Sequence, residues 1–259
     1  MIEKDINQLL DIMAQLRHPH SGCPWDSEQD FKSLMPYTLE ETYEVFDAIL
    51  ENDWDNLKEE LGDLLFQIVF YAQIANEKKL FTFADVVQIL NKKLCARHPH
   101  VFDDNKNELS ANEISQLWDE RKLKEYQQQS VLDNIPKSMP ELLKAVKLTR
   151  KAAIIGFDWN NIEPVFAKMQ EELAELKEAI LTKEIDKITD ELGDVIFVCT
   201  NLARHLKIDP QLALRSANKK FEKRFRLVES LAKSENPNTT RYELGFLDKL
   251  WNKVKKYEQ

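Results

Sequence analysis

Apolar residues recur at helical spacing along most of this chain, and no run alternates with a period of two for a useful length. Residues 3–17 place Ile6, Leu9, Leu10, Met13 and Leu16 on one face, and Leu142, Leu143 and Val146 repeat that face later on. The pattern predicts a helix over about 37–50 and another over about 54–78, with Asn52 or Asp53 as the N-cap of the second. The second of these is expected to bury Leu57, Leu61, Leu64, Leu65, Ile68 and Ala72. Its counterpart over about 184–206 is expected to bury Ile188, Leu192, Val195, Ile196, Cys199 and Leu202. Only 5 of 259 residues are glycine, so tight turns are few. The reading is all-α, in two tandem similar helical bundles.

The polar positions repeat more faithfully than the apolar ones. Glu40-Glu41-x-x-Glu44 followed by Glu60-Leu61-Gly62-Asp63 recurs as Glu171-Glu172-x-x-Glu175 followed by Glu191-Leu192-Gly193-Asp194, each position displaced by 131 residues. Gly22-Cys23-Pro24-Trp25-Asp26 is echoed by Gly156-Phe157-Asp158-Trp159-Asn160. Asn91-Lys92-Lys93-Leu94-x-x-Arg97 is echoed by Asn218-Lys219-Lys220-Phe221-x-x-Arg224, and Leu117-Trp118-x-x-x-Lys122 by Leu250-Trp251-x-x-x-Lys255. Blocks in one order imply a duplication. The expected division is 1–126, a linker at 127–139 and a second domain at 140–259, the joint marked by Gln127, Gln128, Gln129, Pro136 and Pro140.

Acids three apart share a helical face, so two such pairs on a helical hairpin can converge on one point. A single ExxE is most often a solvated surface. A duplicated double pair is not explained that way, because clustered acids without a cation repel and raise one another's pKa values. Four carboxylates with no sulfur or histidine suit a hard, oxygen-seeking ion such as Mg²⁺, with Mn²⁺ as a substitute. Other metal sites do not fit. None of His18, His20, His98, His100 and His205 has Glu three residues before it, HExxH is absent, and Asp103-x-Asn105-x-Asn107 lacks the glycine and the final Glu of a calcium loop. Glycine-rich phosphate loops are also absent. Glycines inside the two acid-bearing helices, Gly62 and Gly193, mark either a close helix crossing or close approach of a ligand.

Lys220 and Arg224 lie four apart on one face, as do Lys93 and Arg97, and beside a metal–carboxylate cluster such cations suit a polyphosphate. Trp118 and Trp251 read as core residues, with the lysine-rich surroundings of Trp251 tilting it toward stacking on a base. His98-Pro99-His100 has no counterpart in the second copy and reads as structural. A net charge of −9 argues against binding a nucleic-acid polymer. Cys23, Cys95 and Cys199 lack pairing motifs and read as free thiols. The N-terminus shows no signal peptide and no stretch is long enough to span a membrane, so a cytoplasmic protein is expected.

The doubled pattern, with GCPWD, YTLEETYEV, ELGDLLFQIVFYAQ, HPHVF and then GFDW, EELAEL and DELGD, resembles the all-α nucleoside triphosphate pyrophosphohydrolases of the MazG family. The resemblance runs over nearly the whole chain. It implies Mg²⁺-dependent hydrolysis of ribo- or deoxynucleoside triphosphates, ATP among them, to monophosphate and pyrophosphate, with broad base tolerance, a role in cleansing the nucleotide pool, and a homodimer. It implies Glu172, Glu175, Glu191 and Asp194 as metal ligands, with Glu41, Glu44, Glu60 and Asp63 as a possible second metal site. The cation would hold the triphosphate and lower the pKa of an attacking water, and Glu171 or one of the ligands would take its proton. Lys168, Lys220 and Arg224 would stabilise the departing pyrophosphate. Attack at the α-phosphorus rests on the resemblance alone. The nucleotide is expected to meet Lys168, Glu171, Glu172, Asp190, Glu191, Asn201, Lys220, Phe221, Arg224 and Trp251.

The copies are not equivalent. Lys168 corresponds to Tyr37 and Asn201 to Phe70, so the second copy is expected to carry most of the catalysis. Two rivals remain at this point: an acidic helical adaptor that binds a protein partner, and a phosphatase that releases orthophosphate.

Overall fold

The computed structural model describes residues 2–102, 130–239 and 241–257. Among them every regular element is a helix. The chain divides into two compact units, Met1–Ala111 and Asn112–Gln259. The sequence blocks at Trp118, Lys122 and Gln127–Gln129, and the Asp103-x-Asn105-x-Asn107 stretch, lie outside the described residues.

Unit 1 contains α1 (Ile2–Leu16), α2 (Pro24–Glu28), α3 (Met35–Glu51), α4 (Trp54–Glu77), α5 (Phe83–Arg97) and α6 (Pro99–Phe102). Asn52 closes α3 in a left-handed conformation (φ 56°), and Asp53 caps α4 by accepting from the Asn56 N–H, so the two candidates for one cap divide the turn between them. Helix α4 is the centre of the unit, with α1, α3 and α5 packed on it. Its core is Met13, Leu34, Val69, Phe70 and Ile74. His98 ends α5, its Nδ1 2.7 Å from the Leu94 carbonyl, and Pro99 opens α6; the HPH segment is thus a helix junction.

Unit 2 contains α7 (Glu141–Ile154), α8 (Glu163–Thr182), α9 (Ile185–His205), α10 (Pro210–Glu235) and α11 (Leu244–Tyr257). Lys183 (φ 62°), 131 residues after Asn52, makes the same left-handed turn between α8 and α9. These two helices form the hairpin that carries the acids, and α7 packs across α9. Helices α10 and α11 pair through Val228, Ala232, Leu250 and Val254.

The expected core of the acid-bearing helices needs correcting. Leu61 is 50% exposed and Leu192 47%, while Ile68, Ile196 and Cys199 are also exposed. Helix α4 instead buries Gln67, Val69, Phe70, Ala72, Ile74 and Ala75, and α9 buries Val198, Thr200 and Asn201. Both helices carry apolar residues on more than one face, and α1 and α7 cover only one of them. A Cβ built on Gly62 or Gly193 meets nothing within 4 Å, so neither glycine marks a tight crossing among the described residues. The three cysteines are free. No helix among the described residues is long and apolar enough to cross a membrane.

Candidate active site

Helix α8 sets Lys168, Glu171, Glu172 and Glu175 on successive turns of one face, and α9 brings Glu191 to meet them. One oxygen each of Glu172, Glu175 and Glu191 lies within 4.8 Å of the others. Glu172 is the anchor, at 5% exposure. A carboxylate so far from water needs positive charge. Lys168 supplies some of it, its Nζ standing 2.8 Å from Glu172 Oε1 and 2.6 Å from Glu171 Oε1. Those two hydrogen bonds, the one to Glu171 the stronger influence, hold the Lys168 ammonium well above the usual lysine range. Glu175 is raised as well, for a different reason: loss of hydration, then the hydrogen bond and charge of Glu172, push its carboxyl above the ordinary value.

Unit 1 gathers a matching group, Glu41, Glu60 and Asp63, again with oxygens within 4.8 Å. Loss of hydration followed by the charges of Asp63 and Glu44 raises Glu41, and loss of hydration followed by the charge of Glu44 raises Glu60. Thus three of each predicted four acids come together. Glu44 stands just outside its group, close enough to perturb both Glu41 and Glu60; Asp194 is exposed one turn along α9 from Glu191. The donor set in each group is carboxylate oxygen alone, which fits a hard divalent cation and no softer metal.

The other predicted residues are more dispersed. Asp190 is exposed beside Glu191. Lys220 and Phe221 are exposed and Arg224 half-buried on α10. The Phe221 ring lies 5.4 Å from that of Trp251, and Trp251 packs on the Val228–Leu250 core. Trp251 is therefore at once a core residue and the wall of an aromatic surface.

Asn201 occupies the most informative position. It is 7% exposed and lines a cavity of about 520 Å³ together with Leu132, Leu148, Thr149, Ala152, Gly156, Phe157, Asp158, Trp159, Phe197 and Arg204. That volume is in the range of small-molecule sites. Asp194, Phe197, Asn201 and Arg204 follow one another at intervals of three or four along α9, so the exposed acid and the cavity share a stripe. Asp194 and Asn201 are two turns, about 10.5 Å, apart.

Sequence reasoning missed Asp158, Arg204 and His205. Arg204 donates to both Asp158 oxygens, through Nη1 at 2.8 Å and Nη2 at 2.5 Å, and His205 Nε2 is 3.1 Å from Asp158 Oδ1. The Arg204 guanidinium, more than any other neighbour, holds the Asp158 carboxyl below its usual range. Arg204 stands three residues after Asn201, a spacing that was legible; its partner 46 residues away was not.

The unit 1 position equivalent to Asn201 is Phe70. It is wholly buried, with the Phe66 ring 5.6 Å away and the Arg17 guanidinium over its face at 5.2 Å. A phenyl group fills the place that in unit 2 opens to the cavity.

The sequence profile of the MazG nucleotide pyrophosphohydrolase domain matches residues 29–102 and 161–228, one segment in each unit. The chain is 45% identical to the nucleoside triphosphate pyrophosphohydrolase of Escherichia coli K12 over 98% of each chain. It is 42% identical to the nucleoside triphosphate pyrophosphohydrolase/pyrophosphatase MazG of Thermotoga maritima, covering 96% of this chain and 94% of that one. A nucleoside triphosphate pyrophosphohydrolase of Mycobacterium tuberculosis is 38% identical over 58% of this chain and 46% of its own.

Proposed function

Because the chain belongs to the MazG nucleotide pyrophosphohydrolase family and is a hydrolase of nucleoside triphosphates, we propose that unit 2 carries the reaction and releases pyrophosphate. One observation supports this placement above the rest: Glu191 of the acid cluster and the cavity-lining Asn201 lie on the same helix, α9, in unit 2, whereas in unit 1 Phe70 fills the matching space. The adaptor reading loses its ground with family membership, and release of orthophosphate is the alternative a product assay excludes.

Glu172, Glu175 and Glu191 would hold Mg²⁺, and the exposed Asp194 would be able to join them. When bound, the cation supplies charge neutralisation for the triphosphate and acidity for the attacking water. Glu171, half-exposed and held by Lys168, accepts the water's proton. Lys168 neutralises Glu172 in the free protein and is placed to turn toward phosphate oxygens once the carboxylates have another counter-charge. Lys220 and Arg224 offer further positive charge to the departing pyrophosphate. The nucleoside extends along α9 toward the cavity, whose two-turn distance from Asp194 suits one nucleoside monophosphate unit.

A second copy of the chain is the expected partner. Leu173 and Ile180 on α8, and Leu192 and Ile196 on α9, leave an apolar face exposed around the acid cluster. Sedimentation of the full chain tests this, and a monomer at micromolar concentration excludes it.

Placement is tested by pyrophosphate release from Glu172→Ala and Glu41→Ala proteins acting on one nucleotide. The Glu172 variant is expected to lose activity on the order of 100-fold, as other transition-state charge groups do. Loss confined to the Glu41 variant overturns the assignment.

A further inference from the structure

The polar end of the unit 2 cavity has a fixed hydrogen-bonding sense. Arg204 Nε lies 2.9 Å from Asn201 Oδ1. A guanidinium can only donate, so the amide oxygen must face Arg204 and the amide nitrogen must face away. Arg204 cannot swing to release it, because its remaining arms are bound to Asp158. Asp158 in turn has both oxygens engaged by Arg204, and Oδ1 also accepts the Trp159 N–H at 2.9 Å. The Thr149 hydroxyl donates back to the carbonyls of Ala145 and Val146. Among the described residues the Asn201 Nδ2 hydrogens have no protein partner. Asn201, 7% exposed and on the cavity wall with Leu148, Ala152, Trp159 and Phe197, therefore has its amide nitrogen available as a donor.

The charge balance says which part of a nucleotide fits there. Arg204 is neutralised by Asp158, so this end has no spare positive charge for phosphate. Flat apolar walls and one oriented amide suit a heterocyclic ring. Lys151 keeps the far wall in place, its Nζ donating to the carbonyls of Val131 (2.8 Å) and Asp133 (2.6 Å) on either side of Leu132.

We infer that Arg204 is a positioning residue that locks Asn201 as a hydrogen-bond donor, so that the cavity favours bases bearing a ring carbonyl over bases bearing an amine at the same place. A carbonyl oxygen accepts from Asn201 Nδ2; an exocyclic amine sets hydrogen against hydrogen and leaves a buried donor unpaired. The inference rests on the proposed nucleotide reaction of unit 2 and adds to it a direction of base preference.

The test is steady-state pyrophosphate release by the full chain with Mg²⁺ on two matched pairs, inosine against adenosine triphosphate and uridine against cytidine triphosphate. The wild-type protein is expected to favour the carbonyl member of each pair by about tenfold in kcat/KM, carried mainly by KM. Asn201→Asp keeps one oxygen on Arg204 and turns an acceptor to the cavity, so the preference inverts. Arg204→Met frees the amide to rotate and brings both ratios toward one, while Arg204→Lys, still a donor, retains them. A purely structural Arg204 would lower all four rates together and leave the ratios unchanged; that result overturns the inference. Ratios near one in the wild-type protein overturn it even where a variant fails to fold. Absence of pyrophosphate from every nucleotide is the separate outcome that overturns the reaction itself.

Discussion

Replacing Phe70 by alanine separates the two units by stability and by function. Phe70 is wholly buried among Met13, Leu34, Val69 and Ile74, and its ring meets Phe66 edge-on and Arg17 on its face. Removing a buried phenyl group costs about 3–5 kcal/mol, the spread depending on how far the walls collapse. Loss of the Arg17 cation–π contact adds about 0.5–2 kcal/mol. With a urea slope of about 1–3 kcal/mol per molar, a 4 kcal/mol loss moves the midpoint by roughly 2 M. Urea titration followed by tryptophan emission reads the change, since Trp25 and Trp54 report from unit 1 and Trp159 and Trp251 from unit 2. Pyrophosphate release at low temperature, well below the new midpoint, is expected to stay within about twofold of wild type, as no residue of the unit 2 site is touched. A midpoint shift below 0.5 M would refute the packing argument (about a quarter of the expected change). Retained folding with lost hydrolysis would refute the assignment of the reaction to unit 2.

Removing divalent cation with a chelator is expected to abolish pyrophosphate release, and restoring Mg²⁺ to recover it. Saturating Mg²⁺ at about 100 times its dissociation constant is expected to stabilise the fold by about 2.7 kcal/mol, readable as a rise in Tm. Acid titration gives a signed test. The Glu41, Glu60 and Glu175 carboxyls are raised above their ordinary 4.5 in the folded protein, so their contribution to stability is full below that value. It is lost as pH rises through the raised values, and cation-free protein should lose stability over that window while Mg²⁺ removes the loss. Gly193→Ala is expected to stabilise cation-free protein by about 0.5–1 kcal/mol, because the added methyl meets open space. A fall in urea midpoint would show that the space is occupied.

What the chain shows of itself is what neighbours along it decide. Helices, their hairpin turns and the pairing of Glu172 with Glu175 depend on groups three or four residues apart, so periodicity and caps made them legible. The duplication was legible because both units must solve the same local problem; even the left-handed turns at Asn52 and Lys183 recur at the shared interval. The resemblance to a family supplied the reaction, which no spacing contains. The tertiary structure decided which face of a helix is inside. Leu61 and Leu192 read as core by pattern, yet α4 and α9 each have more apolar surface than their packed neighbours cover, and periodicity cannot choose between two apolar faces. It also decided that Asp158 meets Arg204, a contact set by how the 156–159 loop closes over α9 rather than by any local preference. And it separated Asn201 from Phe70. In sequence that pair is one polar-for-apolar exchange; in space it is a cavity in one unit and a filled core in the other, because a buried position is either occupied by a side chain or available to a ligand.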